Sequence, residues 1–103
     1  MQDKLPTQLG GLAANLARIA SISKNPDNWE VVDSLLEESK YFIEWMISNA
    51  TLNELILLAE IQRQLAFWHS LWPQIHTNEI ECETIRQYSQ KWSKDLLKMA
   101  QFI

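Results

Sequence analysis

Apolar residues recur along the chain at alternating steps of three and four, which is the period of an amphipathic helix. The first such run contains Leu5, Leu9, Leu12, Leu16 and Ile19. Three more runs follow, and no segment alternates residue by residue as a half-buried strand does. We therefore predict four helices, near residues 7–23, 26–49, 52–72 and 79–102.

Short polar junctions separate these helices and carry capping residues. Asn25 precedes Pro26, which suits the first position of a helix. Thr51 and Glu54 form a capping box, and Asn78 can cap the last helix. The second junction leaves so few residues for a turn that the helices on either side must lie antiparallel. The pattern predicts an all-α, up-down-up-down four-helix bundle that forms a single domain over residues 1–103.

Two local features affect where the predicted helices begin and end. Gly10 and Gly11 each weaken a helix by about 1 kcal/mol relative to Ala, so a start of the regular helix only after them is the alternative to the start near residue 7. Pro73 lacks a backbone N–H and clashes one turn back. We expect the third helix to stop at Trp72, with a kinked continuation as the alternative.

One apolar stripe on each helix predicts the residues of the core. The predicted core comprises Leu12, Leu16, Ile19, Val32, Leu36, Ile43, Leu58, Leu65, Ile85, Trp92 and Met99.

Composition narrows the class of protein. With 47% hydrophobic residues and a net charge of −4, the chain is globular and poorly suited to binding a nucleic acid backbone. Its longest apolar run, residues 55–59, is far shorter than the roughly 20 residues that span a membrane. The first residues lack the apolar stretch of a secretion signal, and the single Cys82 excludes an internal disulfide. We expect a cytoplasmic protein with neither a membrane nor a nucleic acid partner.

The segment LAFWHSLWPQIH, residues 65–76, contains both histidines of the chain. At 100° per residue, Gln62 and His69 fall on the line of Leu58 and Leu65, towards the core. They are a possible buried polar site, with His69 bonded to a neighbouring helix or a buried water. A ligand-binding or proton-transfer role for His69 is the alternative. His76 is expected on an exposed corner.

The residues that bind metals best do not form a recognisable metal motif. Structural zinc sites use paired Cys or His at short spacing, and Cys82 has no second cysteine. Di-iron bundles need Glu-x-x-His on two helices, and this spacing does not occur in the sequence. We expect no metal and no cofactor.

Arg63 and His69 match the Arg-x(4–6)-His spacing of the HEPN ribonuclease bundles, and a polar Gln64 follows the arginine. The resemblance is limited to these residues and implies an RNA-cleaving helical protein in which both are catalytic. On a regular helix the two side chains point about 120° apart, so they do not converge within one subunit. Our alternative function is a small-molecule-binding or catalytic bundle centred on His69, with the spacing of Arg63 and His69 as weak support.

The second helix carries a row of acidic residues: Glu30, Asp33, Glu37 and Glu44 share a face with Lys40. Carboxylates can act as acid–base pairs only where their environments separate their pKa values. This row is more typical of a solvated face, with Lys40 paired to acids of its own helix.

Apolar positions beyond the needs of one core predict an interface. One candidate patch combines Tyr41 and Trp45 of the second helix with Ile56 and Phe67 of the third. The other is a line of small residues on the first helix, Gly10, Ala14, Ala17 and Ser21. We predict a non-enzymatic protein that acts by association, as a homodimer or with another protein, through either set.

Overall fold

The computed structural model describes residues 4–101 and contains four α-helices. They are α1 (Lys4–Ile22), α2 (Trp29–Met46), α3 (Leu52–Ile75) and α4 (Glu79–Gln101). Single 3₁₀ turns, Pro26–Asn28 and Ile47–Asn49, extend α2 at its two ends. No strand occurs in this part of the chain. The predicted all-α four-helix bundle is confirmed.

The capping residues act where the sequence predicted. The Asn25 side chain accepts a hydrogen bond from the backbone N–H two residues later. The Thr51 N–H donates to Glu54 Oε1 at 2.8 Å, and the Thr51 hydroxyl accepts the reciprocal bond of the capping box. The Asn78 side chain accepts from two N–H groups in the first turn of α4. These bonds satisfy donors that a helix start otherwise leaves free.

The helix α1 runs through both glycines, so the alternative start after them is wrong. A Cβ atom at Gly10 would meet nothing within 4 Å, whereas one at Gly11 would lie 2.8 Å from the Phe42 ring of α2. Gly11 thus lets that ring approach the backbone of α1, and the packing offsets the low helix propensity of glycine.

The expected break at Trp72 is also wrong. The helix α3 continues through Pro73 to Ile75, and the His76 N–H donates to the Trp72 carbonyl at 3.0 Å. A proline within a helix removes one backbone hydrogen bond, but the turn beyond it remains helical here.

Adjacent helices pack at different separations. The first and last helices, α1 and α4, make the most extensive contact, and α3 and α4 the least among the neighbouring pairs. Small residues explain the first case, since the buried Ser93 hydroxyl donates to the Ala13 carbonyl at 2.8 Å. Large rings explain the second, because Trp68, Tyr88 and Trp92 fill the space between α3 and α4.

The predicted core is confirmed almost entirely. Ten of the eleven predicted residues are at most 1% exposed, and Met99 is partly buried against the same cluster. Trp72 is also buried, and its indole N–H donates to the Trp29 carbonyl at 2.7 Å.

Across residues 4–101, no helix combines the length and the apolar character needed to cross a membrane.

Candidate functional site

His69 lies at the seam between α2 and α3, with its side chain 20% exposed, so the expected core position is not what the structure has. Its Nε2 is 3.3 Å from Asp33 Oδ1, and its Nδ1 is 3.2 Å from Lys40 Nζ. A lysine ammonium can only donate, so Nδ1 accepts and the proton is on Nε2, facing Asp33. Both ring nitrogens are engaged by the neighbouring helix.

This arrangement also changes the interpretation of the acidic row on α2. Asp33 and Lys40 were expected on a solvated face, whereas both contact the imidazole of α3. The three side chains form a polar link across the seam. An imidazole held at both nitrogens is poorly placed to bind a ligand or to transfer a proton to one.

Gln62 lies two turns before His69 and is half-buried beside a different feature. It lines an apolar groove of about 340 Å³ between α2 and α3, with Ile43, Ile47, Leu55, Leu58, Ala59 and Arg63. Within the described part of the chain, the buried Gln62 Oε1 has no hydrogen-bond partner. Gln62 and His69 therefore do not form one polar site: Gln62 lines the groove, and His69 is bonded to α2.

Arg63 is exposed and borders the apolar groove, while His69 is bonded to Asp33 and Lys40 of α2. The two side chains that resemble the HEPN motif therefore have different neighbours within one subunit.

The four residues of the first candidate interface set are all exposed, two on α2 and two on α3. Tyr41 stacks on Trp45, and Trp45 meets the edge of Phe42, the ring that approaches Gly11. These aromatic residues are thus on the α1 side of α2. Ile56 and Phe67 are exposed on the outer face of α3, and within residues 4–101 no aromatic contact joins Phe67 to Tyr41 or Trp45.

The second set, on α1, is open to solvent. Ala14, Ala17 and Ser21 are exposed, and Gly10 is half-buried. Ala17 lines a depression of about 300 Å³ with Gln90, Ser93 and Lys94 of α4. The small residues are therefore rimmed by polar side chains.

The junction end of the bundle holds an aromatic cluster that sequence reasoning missed. The His76 ring stacks on Trp29 with centroids 5.1 Å apart and planes at 19°, and it also contacts Trp72. His76 was expected on an exposed corner but is half-buried. Its spacing in the sequence gave no indication of this contact, because Trp29 belongs to another helix.

A polar cleft of about 430 Å³ lies beside this cluster, between the α1–α2 and α3–α4 junctions. Its lining includes Lys24, Glu79, Cys82, Glu83 and Arg86. The Arg86 guanidinium bonds to Glu83 and, with Gln87, lowers the pKa of that carboxyl. The charges lining the cleft therefore largely neutralise one another.

Cys82 contributes a thiol to the lining of this cleft, but its environment is unfavourable for reaction. Burial raises the pKa of the Cys82 thiol, and the Sγ atom is 3.4 Å from the His76 carbonyl, to which it donates. A thiol with a raised pKa stays protonated at neutral pH and is a weak nucleophile.

Among the residues that the structure describes, no three His, Cys, Asp or Glu side chains are grouped to hold a metal ion.

No protein-family model, curated protein or solved structure matches this chain. The chemistry of its own surfaces is therefore the basis for proposing a function.

Proposed function

We propose that this protein is non-enzymatic and acts by self-association, as a homodimer. The observation that carries the proposal is that α3 has large apolar side chains on its outer face as well as on its inner face. Its inner residues Leu58 and Leu65 are fully buried, whereas Leu52, Ile56 and Phe67 on the outer side are 74%, 62% and 56% exposed.

A helix with large apolar side chains on more than one face is usually covered on more than one side. The bundle covers only one face of α3, and a net charge of −4 restrains aggregation of the other only modestly. A second copy is the simplest cover, because a two-fold dimer needs a single self-complementary surface.

The outer face of α3 is favoured over the other two candidate surfaces. Tyr41 already packs on Trp45, and Trp45 packs on Phe42, which covers part of the area of both rings. Within the described residues, α1 has no exposed large apolar side chain, so its small-residue line offers less apolar surface than Leu52, Ile56 and Phe67 of α3.

The proposal also includes a location in the cytoplasm and the absence of a nucleic acid partner. A reduced, buried Cys82 is typical of proteins in the cytoplasm, where thiols stay reduced. An excess of acidic over basic residues, 13 against 9, favours a protein partner over a nucleic acid.

Sedimentation equilibrium at micromolar concentration tests the proposal. We expect a species of twice the 12.0 kDa monomer mass for the native chain and a monomer for Phe67→Asp, because a carboxylate buried in the dimer lacks a partner. Trp45→Glu and Ala17→Glu are the matched controls, since each puts an acid on another candidate surface; both should remain dimeric. A native chain that sediments only as a monomer would overturn self-association.

A further inference from the structure

The outer face of α3 carries a regular row of six exposed residues at steps of three and four. They are Asn53, Ile56, Glu60, Arg63, Phe67 and Ser70. Alternating steps of three and four residues place side chains along one straight seam, the spacing at which two helices pack side by side.

We propose that two copies of the protein pair α3 against α3, antiparallel, about a two-fold axis that passes between Ile61 and Gln62. This inference rests on the proposed function and specifies the geometry of the same surface. The occupant of the outer face of α3 is thus the outer face of a second α3.

In this register, every layer of the seam joins complementary groups. Ile56 faces Phe67 of the partner subunit, so apolar meets apolar. Glu60 faces Arg63 of the partner subunit, so opposite charges meet at the centre. Asn53 faces Ser70 of the partner subunit, so the side-chain amide and the hydroxyl can form a hydrogen bond. The two-fold axis repeats each layer.

Other registers of the same seam lack this complementarity. A parallel pair would set Glu60 against Glu60 of the partner subunit and Arg63 against Arg63 of the partner subunit. Moving the antiparallel pair by one heptad sets Ile56 against Glu60 of the partner subunit, or Glu60 against Ser70 of the partner subunit. Like charges and unpaired charges at an interface are costly, so charge selects the first register.

The two central charges are available for an external partner. Glu60 and Arg63 make no ion pair or side-chain hydrogen bond with any residue in the described range 4–101. Arg86, at the same spacing from Glu83 on α4, does bond to its own helix.

One edge of the seam is apolar and small. Leu52, Ala59 and Ala66 follow it at steps of seven, and all three are exposed. In an antiparallel pair this edge of one copy lies beside the same edge of the other. Alanine at that position lets the helices approach closely and removes water from around the central charges.

Exchange of the central charges tests the pairing on the full chain. Glu60→Arg and Arg63→Glu should each lose the dimer, because each puts two like charges face to face. The double variant should recover it. An equimolar mixture of the two single variants should form a heterodimer, since one copy then presents two cations and the other two anions.

The control is Glu83→Arg, which makes the same charge change on α4 at an in-chain pair; it should remain dimeric. Circular dichroism checks that every variant is helical. Disulfide cross-linking tests the pairing without changing a charge. Two variants are made in a Cys82→Ser background, one with Ile56→Cys and the other with Phe67→Cys. A mixture of the two should cross-link on oxidation, and each variant alone should not.

The outcomes separate the two proposals. A monomeric native chain overturns both. A native dimer whose single charge variants stay dimeric, or whose mixture forms no heterodimer, overturns the α3 seam and leaves self-association standing. Cross-linking of Ile56→Cys with itself would show a parallel pair and would likewise overturn the antiparallel seam.

Discussion

At the scale of single residues, burial and hydrogen bonding decide what each side chain contributes. Leu65 is fully enclosed by the core, while Asp33, Lys40 and His69 form a polar link at its edge. Leu65 stabilises the fold by burying apolar area in close packing. The three polar side chains contribute hydrogen bonds that replace those lost when water is partly excluded.

Truncation of Leu65 should therefore be severe. Leu65→Ala removes buried methyl groups and leaves a cavity, so we expect a loss of roughly 2–5 kcal/mol in the free energy of unfolding. Urea denaturation followed by tryptophan fluorescence measures it. Exposed Leu97→Ala is the control and should change stability little; equal losses in the two variants would contradict the packing.

Replacement of His69 should affect stability modestly. His69→Gln loses the geometry that joins Asp33 to Lys40, and we expect a loss of about 1 kcal/mol with the fold retained. A double-mutant cycle with Asp33→Asn should be non-additive, because the second change removes a partner that is already lost. Strict additivity in the urea midpoints would show that the two side chains do not interact.

At the scale of helices and turns, the sequence predicted most of the architecture. Caps such as Asn25 and Thr51 act within three residues, and apolar stripes have a fixed period, so both are local. The contacts of His69 and the stacking of His76 on Trp29 depend on how two helices rotate against each other. No local pattern specifies that rotation. The sequence predicted that His69 bonds to a neighbouring helix, but it placed His69 too deep in the core and His76 on an exposed corner.

The two adjacent glycines of α1 should respond oppositely to the same substitution. Gly10→Ala meets open space, so we expect up to about 1 kcal/mol of added stability from helix propensity. Gly11→Ala gains the same propensity but forces the Phe42 ring to move, and its net effect should be zero or destabilising. The melting temperatures of the two variants test this prediction. Equal stabilisation of both would mean that the Phe42 ring moves away from the new methyl group at no cost.

At the scale of the whole molecule, the bundle completes one core and leaves one helix half-covered. The elongated shape, 42 × 20 × 19 Å, presents the outer side of α3 along its length. Pairing along that length would bury a narrow seam at the low end of stable interface sizes. We therefore expect dimer and monomer to exchange as concentration is lowered.

The close packing of α1 on α4 has a consequence for how the chain folds. The bond between Ser93 and Ala13 joins residues 80 positions apart. Contacts so distant in sequence close a long loop and slow the search for the native state. The bundle is thus completed by its last helix: until α4 leaves the ribosome, the inner stripe of α1 lacks its principal cover.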